Sequence, residues 1–273
     1  MRIVTLLAFV LLALAAASFS QAPENPCGED HGAFSCQARD IMGHVRAPLI
    51  LPSPDGKKRI VAKQETKKWW TSKVSVVVGG KHFSTGIGDD LNAEVLWAPD
   101  SAAFAETYSQ GGAVGDYVVF VHYVTENGFR VLGPGAEADP TKQVVKDFMS
   151  YPISCGGPRE EPNLGAVGWG KDSKTLYIAA EILPHSYCDC MGTFRLYKVS
   201  LPDGSILRSW SQLQAKRYFW SSLGIELRNA DDDCIRDPAS CYVPYNHPEC
   251  FPADERARAK MPSYCSKVLK TAN

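Results

Sequence analysis

Three stretches of this chain repeat one pattern, and that repeat restricts the fold more than any other feature. Ile50-Leu-Pro-Ser-Pro-Asp-Gly56 leads into Arg59-Ile-Val-Ala62. Val95-Leu-Trp-Ala-Pro-Asp-Ser101 leads into Ala103-Phe-Ala-Glu106, and Val167-Gly-Trp-Gly-Lys-Asp-Ser173 into Thr175-Leu-Tyr-Ile-Ala179. Each is an alternating strand, a Pro/Asp/Gly/Ser turn and a second alternating strand, the pattern of an antiparallel hairpin. A second hairpin follows each one. Lys73–Val78 joins His82–Thr85 through Gly79-Gly80, Tyr117–Tyr123 joins Phe129–Leu132 through Glu126-Asn-Gly128, and Phe194–Val199 joins Ser205–Arg208 through Pro202-Asp-Gly204. Asn-Gly and Asp-Gly between alternating runs are strong hairpin signals because Gly and Asn tolerate positive φ.

Each unit therefore reads as four antiparallel strands. Asp55 to Asp100 is 45 residues, the length of one four-stranded propeller blade. Asp100 to Asp172 is 72 residues, the excess fitting a Pro/Gly-rich insertion around 136–162. A short helix is expected there at Thr141–Ser150, with Val144, Val145 and Phe148 on one face.

Ser53-Pro-Asp-Gly56, Trp97-Ala-Pro-Asp-Ser101 and Trp169-Gly-Lys-Asp-Ser173 resemble the repeat of TolB-type β-propellers, relatives of WD40 blades. The resemblance covers residues 46–212 and implies a binding or scaffolding platform; it carries over no catalytic residue. Closed propellers use 4–8 blades, and three clear units stand here. A degenerate fourth blade, an open arc, a sandwich or closure by self-association are the ways to complete the sheets. The expected fold is all-β: antiparallel four-stranded blade-like repeats in a partial or open propeller, with a disulfide-rich C-terminal tail.

Residues 1–20 read as a signal peptide. Arg2 is the one charge, Ile3–Ala17 is apolar, and small residues at Ala15/Ala17 and Ser18/Ser20 suit cleavage near Ala17 or Ser20. The run falls short of the ~20 apolar residues that span a bilayer, and no later segment is apolar enough to do so. The expected location is periplasmic or secreted. Without the leader, 28 Lys+Arg face 30 Asp+Glu, a net charge of −2. That balance offers no footprint for nucleic acid and no sequence-level basic cluster for an anionic membrane.

Nine cysteines remain: Cys27, Cys36, Cys155, Cys188, Cys190, Cys234, Cys241, Cys250 and Cys265. In an exported chain they read as a disulfide framework. Short separations favour Cys27 with Cys36, Cys234 with Cys241 and Cys250 with Cys265. Cys155 then joins Cys188 or Cys190, and one thiol of the Cys-Asp-Cys pair is left over. Residues 21–45 become a Cys-stapled arm and 213–273 a Cys-rich extension, with helical character expected at Gln212–Leu223 and Pro252–Lys260.

Chemistry-bearing motifs are sparse. His185-Ser-Tyr-Cys-Asp-Cys190 and His247-Pro-Glu-Cys250 lack the paired spacing of a zinc site. Asp231-Asp232-Asp233 lacks the Gly and Glu of an EF-hand loop. No metal and no cofactor is expected. No Gly-x-Ser-x-Gly elbow or phosphate loop occurs, so no catalytic residue is assigned. Glu106 and Glu181, following Phe104-Ala105 and Ala179-Ala180, are the carboxylates most suited to a shared face. Trp97 and Trp169 occupy one repeat position and are expected in the core. Lys67-Lys-Trp-Trp70 has the make-up of a binding loop. Trp69, Trp70, Tyr108, Glu106 and Glu181 are the candidate ligand or partner residues. The function expected is an exported, non-catalytic binding or scaffold protein of the periplasm or envelope, with an unknown protein or envelope component as partner. The alternative is an envelope hydrolase using strand-face carboxylates.

Overall fold

A computed structural model describes residues 27, 31–41, 49–64, 72–85, 93–109, 116–151, 153, 155, 159–184, 186, 188 and 190–232. The leader, the Trp69/Trp70 loop, the Cys234–Cys241 and Cys250–Cys265 bridges and the Pro252–Lys260 helix lie outside the described residues.

The described chain is mostly β, in three antiparallel sheets. The first holds β2 (Leu49–Pro52), β3 (Lys58–Gln64), β4 (Ser72–Val78) and β5 (Lys81–Ser84), paired in sequence order. The second holds β6 (Ala93–Trp97), β7 (Ala103–Ser109), β8 (Tyr117–Thr125) and β9 (Gly128–Leu132), with β1 (Arg39–Asp40) added beside β6. The third holds β10 (Asn163–Trp169), β11 (Thr175–Glu181), β12 (Phe194–Ser200) and β13 (Ile206–Ser211). The described residues form no closed barrel or propeller.

The first turn of every sheet is built alike. Asp55, Asp100 and Asp172 accept the backbone N–H two residues on, from Lys57 (3.0 Å), Ala102 (2.9 Å) and Lys174 (3.0 Å). This Asx turn is why an acidic residue ends each strand motif. The next residue turns left-handed, with φ 69° at Gly56, 62° at Ser101 and 55° at Ser173.

Alternation along the strands then stacks the sheets. Ile60, Ala62, Val74 and Val76 of the first sheet pack on Ala93, Val95, Phe104 and Val124 of the second. The opposite face of the second sheet places Ala103, Ala105, Val119 and Val121 against Leu164, Leu176 and Ile178 of the third. Helix α1 (Lys142–Ser150) adds Val144 and Phe148 to that core. The Arg159 guanidinium donates to the carbonyls of Phe148 (2.8 Å), Met149 (2.9 Å) and Tyr151 (2.6 Å), satisfying the end of α1.

The far face of the third sheet is covered by helices. Val167, Ala179, Phe194, Leu196 and Trp210 meet Phe34, Ala215, Leu223 and Leu227. Ala215 belongs to α2 (Gln212–Phe219), which opens with a capping box between Ser211 and Gln214, and Leu227 to α3 (Ile225–Asn229). Buried Gln212 accepts the Phe194 N–H (3.1 Å) and donates to the Asp231 carbonyl (2.9 Å) and Asp232 Oδ1 (2.7 Å). Helical character at 212–223 is thus present, with Trp220 half exposed (48%) and Phe219 turned onto the sheet. Among the described residues the sheet stack has two ends: helices close one, and the far face of the first sheet carries Arg59, Lys63 and Ser75 beside buried Val61 and Val77.

Two disulfides join described residues, Cys27–Cys36 and Cys155–Cys188. Of the two partners that spacing left open for Cys155, Cys188 is the one bonded. Cys190 lies partly buried against the central core.

Candidate functional site

Repeat geometry leads to the site. Five residues before each turn aspartate stand Ile50, Val95 and Val167 on β2, β6 and β10, the first strand of each sheet. Residues 31–41 run along these inner edges. Arg39 of β1 pairs with Val95, and Ser35 Oγ donates to the Val167 carbonyl at 2.8 Å. Val95 is buried against the first sheet and Val167 on the helix-covered side of the third, whereas Ile50, on the outer face of the first sheet with Val61, is 55% exposed. The Ser53 N–H donates to the Lys58 carbonyl, and Ile50 sits opposite Val61. In an antiparallel ladder bonded and non-bonded pairs alternate, so the N–H and C=O of Ile50 point away from β3. Among the described residues no strand lies beside β2 on that side.

Beside this edge lies a cleft of ≈ 510 Å³ between the first and second sheets. Ile50, Leu51, Pro52 and Pro54 form one wall, and Val95, Leu96, Trp97 and Pro99 the other. Gln37 and Arg39 supply its polar side. The walls are held in place by hydrogen bonds between the sheets. Trp97 Nε1–H donates to the Leu51 carbonyl (3.4 Å), Asp55 N–H to Ser101 Oγ (3.0 Å), and Lys58 Nζ to the Ser101 carbonyl (2.8 Å).

The carboxylates expected to share a face do not meet. Glu106 is six residues beyond Asp100, and Glu181 is nine beyond Asp172. The odd difference of three reverses the face in a period-2 strand. Glu106 points toward the first sheet and Glu181 to the helix-covered side of the third. Both are buried, at 3% and 1% exposure, so neither offers an accessible binding group. Glu106 Oε2 lies 2.7 Å from His122 Nε2. The His122 ring stacks on Phe104 at 4.4 Å and meets the edge of Phe129. Its Nδ1 has no hydrogen-bond partner.

Glu181 faces Asn163 across the β10–β11 ladder, yet neither carboxyl oxygen makes a hydrogen bond of ordinary geometry. Burial pushes this carboxyl up to about 8, the charge of Glu226 adds to the rise, and Asn163 opposes it. Glu94 is also buried, and burial likewise pushes it up to about 8. It is held by the backbone N–H groups of Ala33 (2.5 Å) and Phe34 (3.2 Å), which favour its charged form. Glu94 thus fastens residues 33–34 to the second sheet.

Tyr108 is half-buried on the face it shares with Glu106, against the first inter-sheet core. Trp69 and Trp70 lie outside the described residues. Among the described residues no three His, Cys, Asp or Glu side chains gather to hold a metal ion. Sequence reasoning missed Gln37, Arg39, Ile50, Leu51 and the prolines as a site. No local signal marked them, because the cleft is formed by residues far apart in the chain. No helix among the described residues is long and apolar enough to cross a membrane. Comparison with protein-family models finds no match, and comparison with curated proteins finds none either.

Proposed function

We propose that this chain is an exported, non-catalytic binding or scaffold protein whose three sheets form an open, propeller-like arc. Its binding site is the cleft between β2 and β6. The observation that carries the reading is this cleft beside β2, the inner edge that no strand covers among the described residues. Its ≈ 510 Å³ falls in the range of ligand sites, and it combines apolar walls with a few polar groups. The buried carboxyls with raised proton affinity, Glu94 and Glu181, are absent from its lining, so what the cleft presents suits recognition rather than proton transfer. The two disulfides fit an oxidising, extracytoplasmic setting.

Site-specific photocrosslinking tests this. A crosslinking residue at exposed Gln37, on the cleft, should capture a discrete partner or envelope component in the native envelope. The same residue at Lys81, the exposed first residue of β5, should not. Identical capture from both positions, or none from Gln37, defeats the reading.

A further inference from the structure

We infer that β2 is a strand-addition site: an extended peptide segment of a partner protein pairs antiparallel with Leu49–Pro52, with alternate side chains in the adjacent cleft. This rests on the binding reading above and names the partner's chemistry. The chain itself supplies the template. At the equivalent edge of the second sheet, β1 lies antiparallel to β6 with Arg39 opposite Val95 and Asp40 opposite Glu94. At the third sheet, Ser35 caps the carbonyl of Val167, the equivalent residue. Among the described residues, 31–41 therefore lie along two of three equivalent edges and leave the one at Ile50.

The chemistry of that edge fits a strand and little else. Ile50 turns one N–H and one C=O outward, the pair that an added strand bonds. Pro52 has no N–H, so the edge offers a short, defined register rather than a long adhesive one. Side chains of an added strand alternate in direction. Every second one enters the cleft beside Leu51, Trp97 and Pro99, where Gln37 and Arg39 provide polar contacts. The partner segment is therefore extended, apolar at the cleft-facing positions, and free of proline where it meets Ile50.

The test uses the mature protein and a phage-displayed library of random linear heptapeptides. Enriched peptides should bind Ile50→Thr at least about threefold more tightly than Ile50→Pro, because Thr trims one wall of the cleft but keeps the amide and β-propensity. They should lose at least about tenfold relative to wild type on Ile50→Pro, which removes an N–H that β3 does not use. Saturating peptide should slow exchange of the Ile50 amide in wild type at least about tenfold. This second readout stands if Ile50→Pro folds poorly. Peptides that bind Ile50→Pro as tightly as wild type, yet are weakened by Arg39→Ala, overturn strand addition while leaving the cleft as a site. Failure of any peptide to enrich, or an Ile50 amide already protected in the unliganded protein, also overturns it. The latter outcome means that the chain fills its own edge.

Discussion

Trp169 of the third sheet donates its indole N–H to the carbonyl of Leu96 in the second, at 3.0 Å. One unit earlier, Trp97 of the second sheet does the same to Leu51 of the first, at 3.4 Å. The turn residues repeat the relationship: Ser173 Oγ accepts the Asp100 N–H, and Ser101 Oγ accepts the Asp55 N–H, both at 3.0 Å. Each sheet thus fastens itself to the preceding one with a tryptophan and a serine. The first sheet has Pro52 and Gly56 at those positions, and among the described residues no sheet precedes it.

Replacing either tryptophan should loosen a sheet junction. Trp97→Ala and Trp169→Ala should each cost about 3 kcal/mol, the low end for emptying an aromatic site, since both rings are only partly buried. Trp169→Phe retains much of the packing and loses the hydrogen bond, so about 1 kcal/mol is expected. Urea midpoints measure this; a Phe variant as unstable as the Ala variant would contradict the division between packing and hydrogen bond.

The serines should show a reversed preference for small residues. Ser173 sits at φ 55° and Ser101 at φ 62°. Ser→Ala keeps the strained backbone and removes the acceptor, and should cost about 1–2 kcal/mol. Ser→Gly removes the acceptor but relieves the strain, and should stay within about 0.5 kcal/mol of wild type. Thermal denaturation of the four variants decides the order.

Glu181 should make the protein less stable as pH rises. Its folded proton affinity is raised from 4.5 to about 8. The native state therefore holds a proton that the unfolded chain releases above pH 4.5. The stabilisation is fully present below that pH and is lost as pH climbs through about 8. Glu181→Gln should flatten this fall and be more stable than wild type at pH 8–9, by an amount on the order of a few kcal/mol. Burial raises Glu94 to about 8 as well, so Glu94→Gln should flatten the fall in the same direction. Because the amide presents one acceptor fewer to the N–H groups of Ala33 and Phe34, it should also be less stable than wild type at pH 5. Denaturation curves between pH 5 and 9, compared with wild type, check both.

Peptide mapping without reduction should find Cys27–Cys36 and Cys155–Cys188. Removing the second pair as Cys155→Ala/Cys188→Ala opens a link across 33 residues. It should cost about 4 kcal/mol in the chain-entropy description. A Cys155–Cys190 peptide in place of Cys155–Cys188 would contradict the structure.

Local signals were legible because they are short-range. The aspartates at 55, 100 and 172 each bond an N–H two residues away, so their turns, and the hairpins beyond them, could be read from spacing. The α1 helix was legible from Val144 and Phe148, four residues apart, which both enter the core. The candidate carboxylates were misaligned for a specific reason. Glu106 and Glu181 were matched by the small residues before them, whereas counting from the turn aspartate gives six and nine residues and hence opposite faces.

The sequence by itself determined the strands and their turns, because period-2 alternation and turn chemistry act within a few residues. The register shifts at Ala166/Gly168 and Lys198/Val199, and with them the face of Val167, came only with the structure. Only the tertiary structure decided what lies against the strand faces. Ser35 reaches Val167 across 132 residues of chain and Ala33 reaches Glu94 across 61, contacts that no local pattern encodes. The helices α2 and α3 end the stack on one side by burying the far face of the third sheet. Among the described residues, 31–41 lie along two inner edges and no strand lies along that of β2, so the placement of one segment made that edge the candidate site.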